Sequence, residues 1–208
     1  MTITLRAHEL VAHPVASPLN CELSEGLNLI LGQREQGQTA LAMTLAGRRR
    51  PVSGSIALDG NPRTRNLFRC AALAGAREID SLERLVTVRT VVREQVAWAQ
   101  PWYRIAPRDI TASSLVRPWL EPLGLELDQT ELVGDLPPAQ RLRLRVLLGL
   151  IARPKAAFLV VDDIDQLRSL DLVEDFLRDL QKVSRSLPVM AFGVNSHYAH
   201  LADHVVEV

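Results

Sequence analysis

Leu27-Asn28-Leu29-Ile30-Leu31-Gly32-Gln33-Arg34-Glu35-Gln36-Gly37-Gln38-Thr39 is an apolar run that feeds a glycine-bounded loop. The residues that follow, to Ala46, read as a helix with Leu41 and Leu45 on one face. Strand, loop and helix in this order make the frame G-x-x-x-x-G-K-[ST]. Its glycines let successive backbone N–H groups turn inward onto a phosphate at the positive end of the helix. Gly32, Gly37 and Thr39 keep their places in the frame, and Gln38 stands where the lysine belongs. A lysine supplies charge-assisted hydrogen bonds of about 1.5–3 kcal/mol each, whereas glutamine offers only a neutral dipole. The expectation is a phosphate loop of Gly32, Gln33, Arg34, Glu35, Gln36, Gly37, Gln38 and Thr39 whose affinity is weakened, with Gln38 or Arg34 as substitute donors.

The rest of the chain sets bounds on that reading. With 208 residues it suits one domain, 1–208, with room for a smaller lobe. Its 24 basic and 24 acidic side chains cancel and are dispersed, so no basic field points to nucleic acid. Lys155 and Lys182 are the only lysines, and neither neighbours the loop in sequence. Cys21 and Cys70 form no C-x-x-C pair, which fits a reducing, cytoplasmic setting. The apolar runs 146–152 and 156–161 are interrupted by Arg153-Pro154-Lys155 and are too short to cross a bilayer. Any work at a membrane would then go through a partner.

Residues 2 to 31 read as short β segments, with a turn at Glu25-Gly26 before the strand that enters the loop. Gly47 suits the end of the first helix, with Arg48-Arg49-Arg50 complementing its negative pole. Residues 54–60 read as a hairpin arm, and 68–75 as a further strand. A helical subdomain is expected at about residues 76–150, with helices near 90–99 and 113–120. Pro138 opens a strong helix striped by Leu144, Leu147, Leu148 and Ile151 and stopped by Arg153-Pro154. Phe158-Leu159-Val160-Val161 is apolar throughout, as in a parallel sheet buried on both faces, and it ends in Asp162-Asp163. A helix over 170–184, a strand over 189–194 and a short helix reaching Asp203 complete an α/β order.

Taken in order, these motifs resemble the ATP-binding subunit of ATP-binding cassette (ABC) transporters over nearly the whole chain. The resemblance is carried by the loop at 32–39 and by Leu45-Ala46-Gly47 with the segment 51–60. It continues through Thr87-Val88, then Leu136-Pro137-Pro138-Ala139-Gln140-Arg141 in the signature place, Phe158 to Asp163 as Walker B, and Asn195-Ser196-His197 in the switch-histidine place. It implies a P-loop NTPase (ABC ATPase-like) core with an antiparallel β portion and a helical subdomain. It also implies ATP and magnesium as ligands, with Thr39 and Asp162 as the magnesium contacts, Asp163 in the place of the glutamate that activates water, and His197 as γ-phosphate sensor. Implied partners are a membrane-spanning transport subunit and a second ATP-binding subunit, in a homodimer or a heterodimer, at the inner face of the membrane.

The chain departs from the family at several places. Asp163 is one methylene shorter than glutamate, which weakens the positioning of water. Pro137 and Pro138 offer neither the signature's hydroxyl nor its N–H groups, and Gln140, Arg141 and Arg143 read as a solvated helix face. The hinge glutamine falls near Gly75 or Ala76. No Phe, Tyr or Trp precedes Phe68, so His13 is the only ring near the adenine-stacking place. Three functions stay open: a hydrolysing ATPase, a nucleotide-binding module with weak or no turnover, and a scaffold. Two side readings accompany them. His197, His200 and His204 can share a helical face and hold zinc. Trp98, Trp102 and Tyr103 either pack the lobe against itself or line a partner groove.

Overall fold

The computed structural model describes residues 4–33, 37–61, 64–76, 79 and 81–208. Strand β3 (Leu27–Leu31) is buried along its whole length, and the two-residue period of a strand sends its side chains into two separate cores. Leu27, Leu29 and Leu31 enter one, and Ile30 enters the other. Strand β6 (Phe158–Val161) divides in the same way, with Leu159 and Val161 on one side and Phe158 and Val160 on the opposite side.

These strands belong to a five-stranded parallel sheet of order β5-β6-β7-β3-β8, where β5 is Ala71–Ala74, β7 is Val189–Gly193 and β8 is His204–Glu207. Beneath Ile30, Phe158 and Val160 lie helix α1 (Gln38–Leu45) and a three-stranded antiparallel sheet. In that sheet β1 (Leu5–Val11) is flanked by β2 (Leu19–Leu23) and β4 (Ser53–Leu58). Over the other face lie helices α3 (Val88–Ala99), α5 (Pro138–Ala152) and α6 (Leu170–Ser184). The short helix α4 (Arg117–Leu120) and a 3-10 turn at Ile110–Ala112 fall in the stretch expected to be a helical lobe, and α5 packs on both α3 and β5.

Local chemistry explains the boundaries. After α1, Gly47 takes φ +69°, its N–H reaches the Thr44 carbonyl at 3.0 Å, and the Arg48 N–H reaches the Met43 carbonyl at 2.7 Å. That paired closure needs a left-handed residue, which glycine adopts without cost. Arg48 also donates from its guanidinium to the Ala46 carbonyl at 2.7 Å, as expected for a cation at a helix end. Asp59 and Gly60, both at positive φ, make the tight turn after β4, closed by Leu58 and Asn61 bonding each other's backbone at 2.9 and 3.0 Å. Asn28 is buried but satisfied. Its amide donates to the carbonyls of Ser24 and Val189, and its oxygen accepts from the Ser24 N–H, fixing the turn into β3.

Three expectations are corrected here. Residues 68–70 are not strand, because helix α2 (Thr64–Cys70) runs directly into β5. The Phe68 ring stands between the guanidinium groups of Arg48 and Arg153, 4.4 and 4.6 Å from its centroid. Burial, and secondarily Arg153, lowers the Arg48 pKa to about 10. Of 113–120, only Arg117–Leu120 is helical. The short helix expected to reach Asp203 is a 3-10 turn over Ser196–Leu201, and β8 then adds an edge strand beside β3.

A buried ion pair joins α5 to α6. Arg143 donates from Nε and Nη2 to Asp179 Oδ2 at 2.8 and 2.6 Å, while Lys182 reaches Asp179 Oδ1 at 2.8 Å. Arg143 therefore does not belong to a solvated helix face. Removing one partner leaves a buried charge uncompensated, so Asp179→Ala is expected to cost about 3–5 kcal/mol in urea unfolding.

Candidate functional site

The carboxyl ends of β3, β6 and β7 converge on one side of the parallel sheet, the place where open α/β sheets bind ligands. A cleft of about 630 Å³ opens there. One wall is formed by Gln33, Gly37, Gln38 and Thr39 of the loop and the start of α1, with His13 beside them. The facing wall is the segment after β6, with Asp162, Asp163, Asp165, Gln166 and Arg168. Gln33, Gly37, Gln38 and Thr39 thus line one cleft with Asp162 and Asp163, while Gly32 lines a small apolar hollow beside it. Arg34, Glu35 and Gln36 lie outside the described residues.

The residue in the lysine's place is tied down. Gln38 donates from Nε2 to the Gly193 carbonyl at 2.8 Å, and the same carbonyl accepts the Gly32 N–H at 3.1 Å. A Cβ on Gly32 would stand 2.6 Å from Gln38 Nε2, so the glycine makes room for this link. Gly37 has φ +81°, and a Cβ there would come within 2.5 Å of His13 Cβ. His13 is therefore packed against the loop. Its Nδ1 is buried without a hydrogen bond among the described residues.

On the opposite wall Asp162 is 1% exposed and Thr39 is half-buried. Both line the same cleft and carry side-chain oxygen, a donor set suited to a small hard cation that keeps several waters. Asp163 adopts φ 50° and ψ 61°, a left-handed backbone uncommon outside glycine and better tolerated by Asp than by most residues. Its carbonyl accepts from Gln166 Nε2 at 2.8 Å, and Gln166 Oε1 accepts from Arg145 Nη1 at 3.0 Å. This relay ties the Asp163 turn to α5. Asp165 Oδ2 accepts the Val194 N–H at 2.7 Å, joining the same turn to the end of β7.

His197 is exposed on the 3-10 turn Ser196–Leu201 and does not line the cleft. Its neighbour Tyr198 is buried, and burial, followed by the carboxylates of Asp165, Glu174 and Asp171, raises the phenol's pKa. The shared helical face for zinc is overturned, because His204 belongs to β8. No group of three or more His, Cys, Asp or Glu that could hold a metal ion occurs among the described residues.

In the signature place Pro137 caps α5 and Pro138 is its first residue. Arg141 turns back to donate to the carbonyls of Gly134 and Leu136 at 3.1 and 2.8 Å, so it too is not a solvated surface charge. The hinge position also excludes a long side chain. A Cβ on Gly75 would lie 2.3 Å from the Asp162 carbonyl oxygen, and Ala76 is fully buried. Sequence reasoning missed Asp165, Gln166 and Arg168 as parts of the cleft; their closeness to Asp162 along the chain was the available signal. The aromatic cluster does not pack the lobe against itself, since Trp98, Trp102 and Tyr103 are 80%, 94% and 66% exposed.

No protein-family model matches the chain. The ribose import ATP-binding protein RbsA of Pseudomonas putida is 28% identical over 157 residues, or 74% of this chain, which spans 30% of that relative's length. Solved structures share the fold, among them the following two. A Pyrococcus furiosus protein assigned as an ABC transporter ATP-binding protein has a TM-score of 0.73 at 16% identity, covering 98% of this chain and 96% of its own. CbiO1 of Clostridium perfringens, part of the ABC transporter complex cbiONQ, has a TM-score of 0.78 at 17% identity, covering 100% and 85%.

Gly75, at φ +85°, is what allows β5 to pass so close to Asp162. Gly75→Ala is expected to cost about 1–3 kcal/mol from the backbone conformation alone, with the collision at the Asp162 carbonyl added to it. Denaturant unfolding of the variant beside wild type measures the sum.

Proposed function

We propose that this chain, whose fold is that of the ATP-binding proteins of ABC transporters, is the nucleotide-binding subunit of an ABC-type transport complex. The observation that carries this reading is the cleft itself, where the phosphate loop meets Thr39 and Asp162 across one opening. Thr39 and Asp162 would hold magnesium, whose chemistry there is to offset the negative charge of a phosphate chain. The start of α1 and the backbone of the loop supply partial positive charge to the same group.

Turnover in this reading is weak or absent. Asp163 carries a short carboxylate, and Pro137 and Pro138 bring no N–H group to a facing copy's nucleotide. His197 is exposed and outside the lining of the cleft, and its sensing role belongs to a dimer with this chain or another ATP-binding subunit. The resident place is the cytoplasmic face of a membrane, reached through a membrane-spanning partner. No helix among the described residues is long and apolar enough to cross a bilayer. The docking place is a groove of about 530 Å³ lined by Leu82, Val91, Trp98 and Leu148, with Trp102 and Tyr103 exposed farther along the chain.

Calorimetry with purified protein tests the binding reading. Wild type is expected to bind ATP in a magnesium-dependent way. Gly37→Val is expected to remove that binding, because the new side chain collides with His13 and strains a left-handed backbone. Absence of magnesium-dependent binding by wild type at millimolar ATP would leave the scaffold as the reading. For the partner, Trp98→Ala and Trp102→Ala are expected to lower recovery of a membrane protein after crosslinking while the circular dichroism spectrum stays unchanged. Equal recovery by wild type and both variants would remove the groove from the docking surface.

A further inference from the structure

The cleft has lost the lysine of its loop, and the structure shows that Gln38 does not stand in for it. The Gln38 amide is spent on the Gly193 carbonyl at 2.8 Å, beneath the loop. The lysines are elsewhere: Lys182 is bonded to Asp179, and Lys155 lies in the turn before β6, at the opposite end of that strand from the cleft. Magnesium would offset only part of the charge of a tetra-anionic phosphate chain, and with Asp162, Asp163 and Asp165 lining the same cleft a further cation is called for.

The geometry points to Arg168 as that cation: its guanidinium binds the phosphate chain of a nucleoside di- or triphosphate from the wall opposite the loop. This deepens the nucleotide-binding reading above and rests on it. Arg168 is the only residue with a permanent positive charge among the described residues lining the cleft. It is exposed, and no hydrogen bond or ion pair engages it among the described residues. The three arginines of α5 are engaged elsewhere. Arg145 is bonded to Gln166, Arg143 to Asp179, and Arg141 to two backbone carbonyls.

The backbone that carries Arg168 is fixed although its side chain is not. A 3-10 turn over Ile164–Gln166 is closed by Gln166 and Leu167 N–H groups on the carbonyls of Asp163 and Ile164. Leu167 is buried on one side, and on the other the Ser169 N–H meets the Leu167 carbonyl just before α6 begins. The planar guanidinium suits bidentate contact with phosphate oxygens. Adenine and ribose carry no charge, so this contact distinguishes nucleotides by the length of their phosphate chain.

The test compares Mg-ATP, Mg-ADP and AMP binding by calorimetry in wild type, Arg168→Ala, Arg168→Lys and a distant control, Arg185→Ala, at the far end of α6. Arg168→Ala is expected to lower Mg-ATP affinity at least tenfold and AMP affinity much less, collapsing the ATP-to-AMP ratio. Arg168→Lys restores part of the ratio, Arg185→Ala leaves it unchanged, and all variants melt with wild type. Mg-ATP affinity within twofold of wild type in Arg168→Ala overturns the assignment while the nucleotide-binding reading stands. No Mg-ATP binding by wild type overturns both.

Discussion

The Gly193 carbonyl oxygen at the end of β7 accepts the N–H of Gly32 and the side-chain amide of Gln38, and the rest of the site depends on that double acceptance. It locks the mouth of the phosphate loop to the neighbouring strand. It satisfies a backbone acceptor at a strand end, where ladder partners run out. It also consumes the one side-chain donor at the position where this kind of loop normally directs a cation toward a ligand. The loop is therefore held in shape by the same group that would otherwise have bound phosphate. Shape and charge have been separated.

The strands beneath this link are long enough to be buried on both faces but too short to be stable alone, and each face has its own cover. Helices α3, α5 and α6 cover one side, while α1 and the antiparallel sheet cover the other. Because the residues of β3 and β6 alternate between these cores, a slip of one residue in either strand would exchange the two sets of side chains. The slip would also displace Gly32 or Asp162. Register in the core and placement in the cleft are thus one constraint. Gly75 adds to it by bringing the end of β5 against the Asp162 backbone, which leaves no room for a side chain at the hinge.

Much of this was legible in the sequence, and what was not has a common cause. The strand at 158–161, the helices opening at Pro138 and Leu170, and the glycine-bounded loop all follow from periodicity and turn chemistry within a few residues. Helix α2 was missed because an apolar run around Phe68 fits strand or helix equally. The stacking of Phe68 between Arg48 and Arg153 joins residues distant in sequence. Strand β8 has four residues and, among the described residues, pairs only with β3, so its pattern is weak by itself. The acceptor of Gln38 is 155 residues away, and Arg143 finds Asp179 across 36 residues. Residue identities announced the donors, and only the fold identified their acceptors.

The carboxylate wall explains why relocating charge is more than a simple exchange of one cation for another. In the frame G-x-x-x-x-G-K-[ST], a lysine rises from the helix start and approaches phosphate from the side of the loop. Here the described residues of the loop side offer backbone N–H groups and the helix end, which together amount to about half a charge. A full charge comes from the segment after β6, on the same wall as Asp162, Asp163 and Asp165. A phosphate chain is then held from both walls rather than cradled by one. Its grip depends on their spacing, which the Arg145–Gln166–Asp163 relay and the Asp165–Val194 bond together fix from α5 and β7. Movement of α5 would therefore reach the nucleotide through the Asp163 turn without any signature hydroxyl. In the proposed reading such a chain suits sensing or transmitting nucleotide occupancy more than positioning water for attack, which needs a carboxylate reaching farther than Asp163 does.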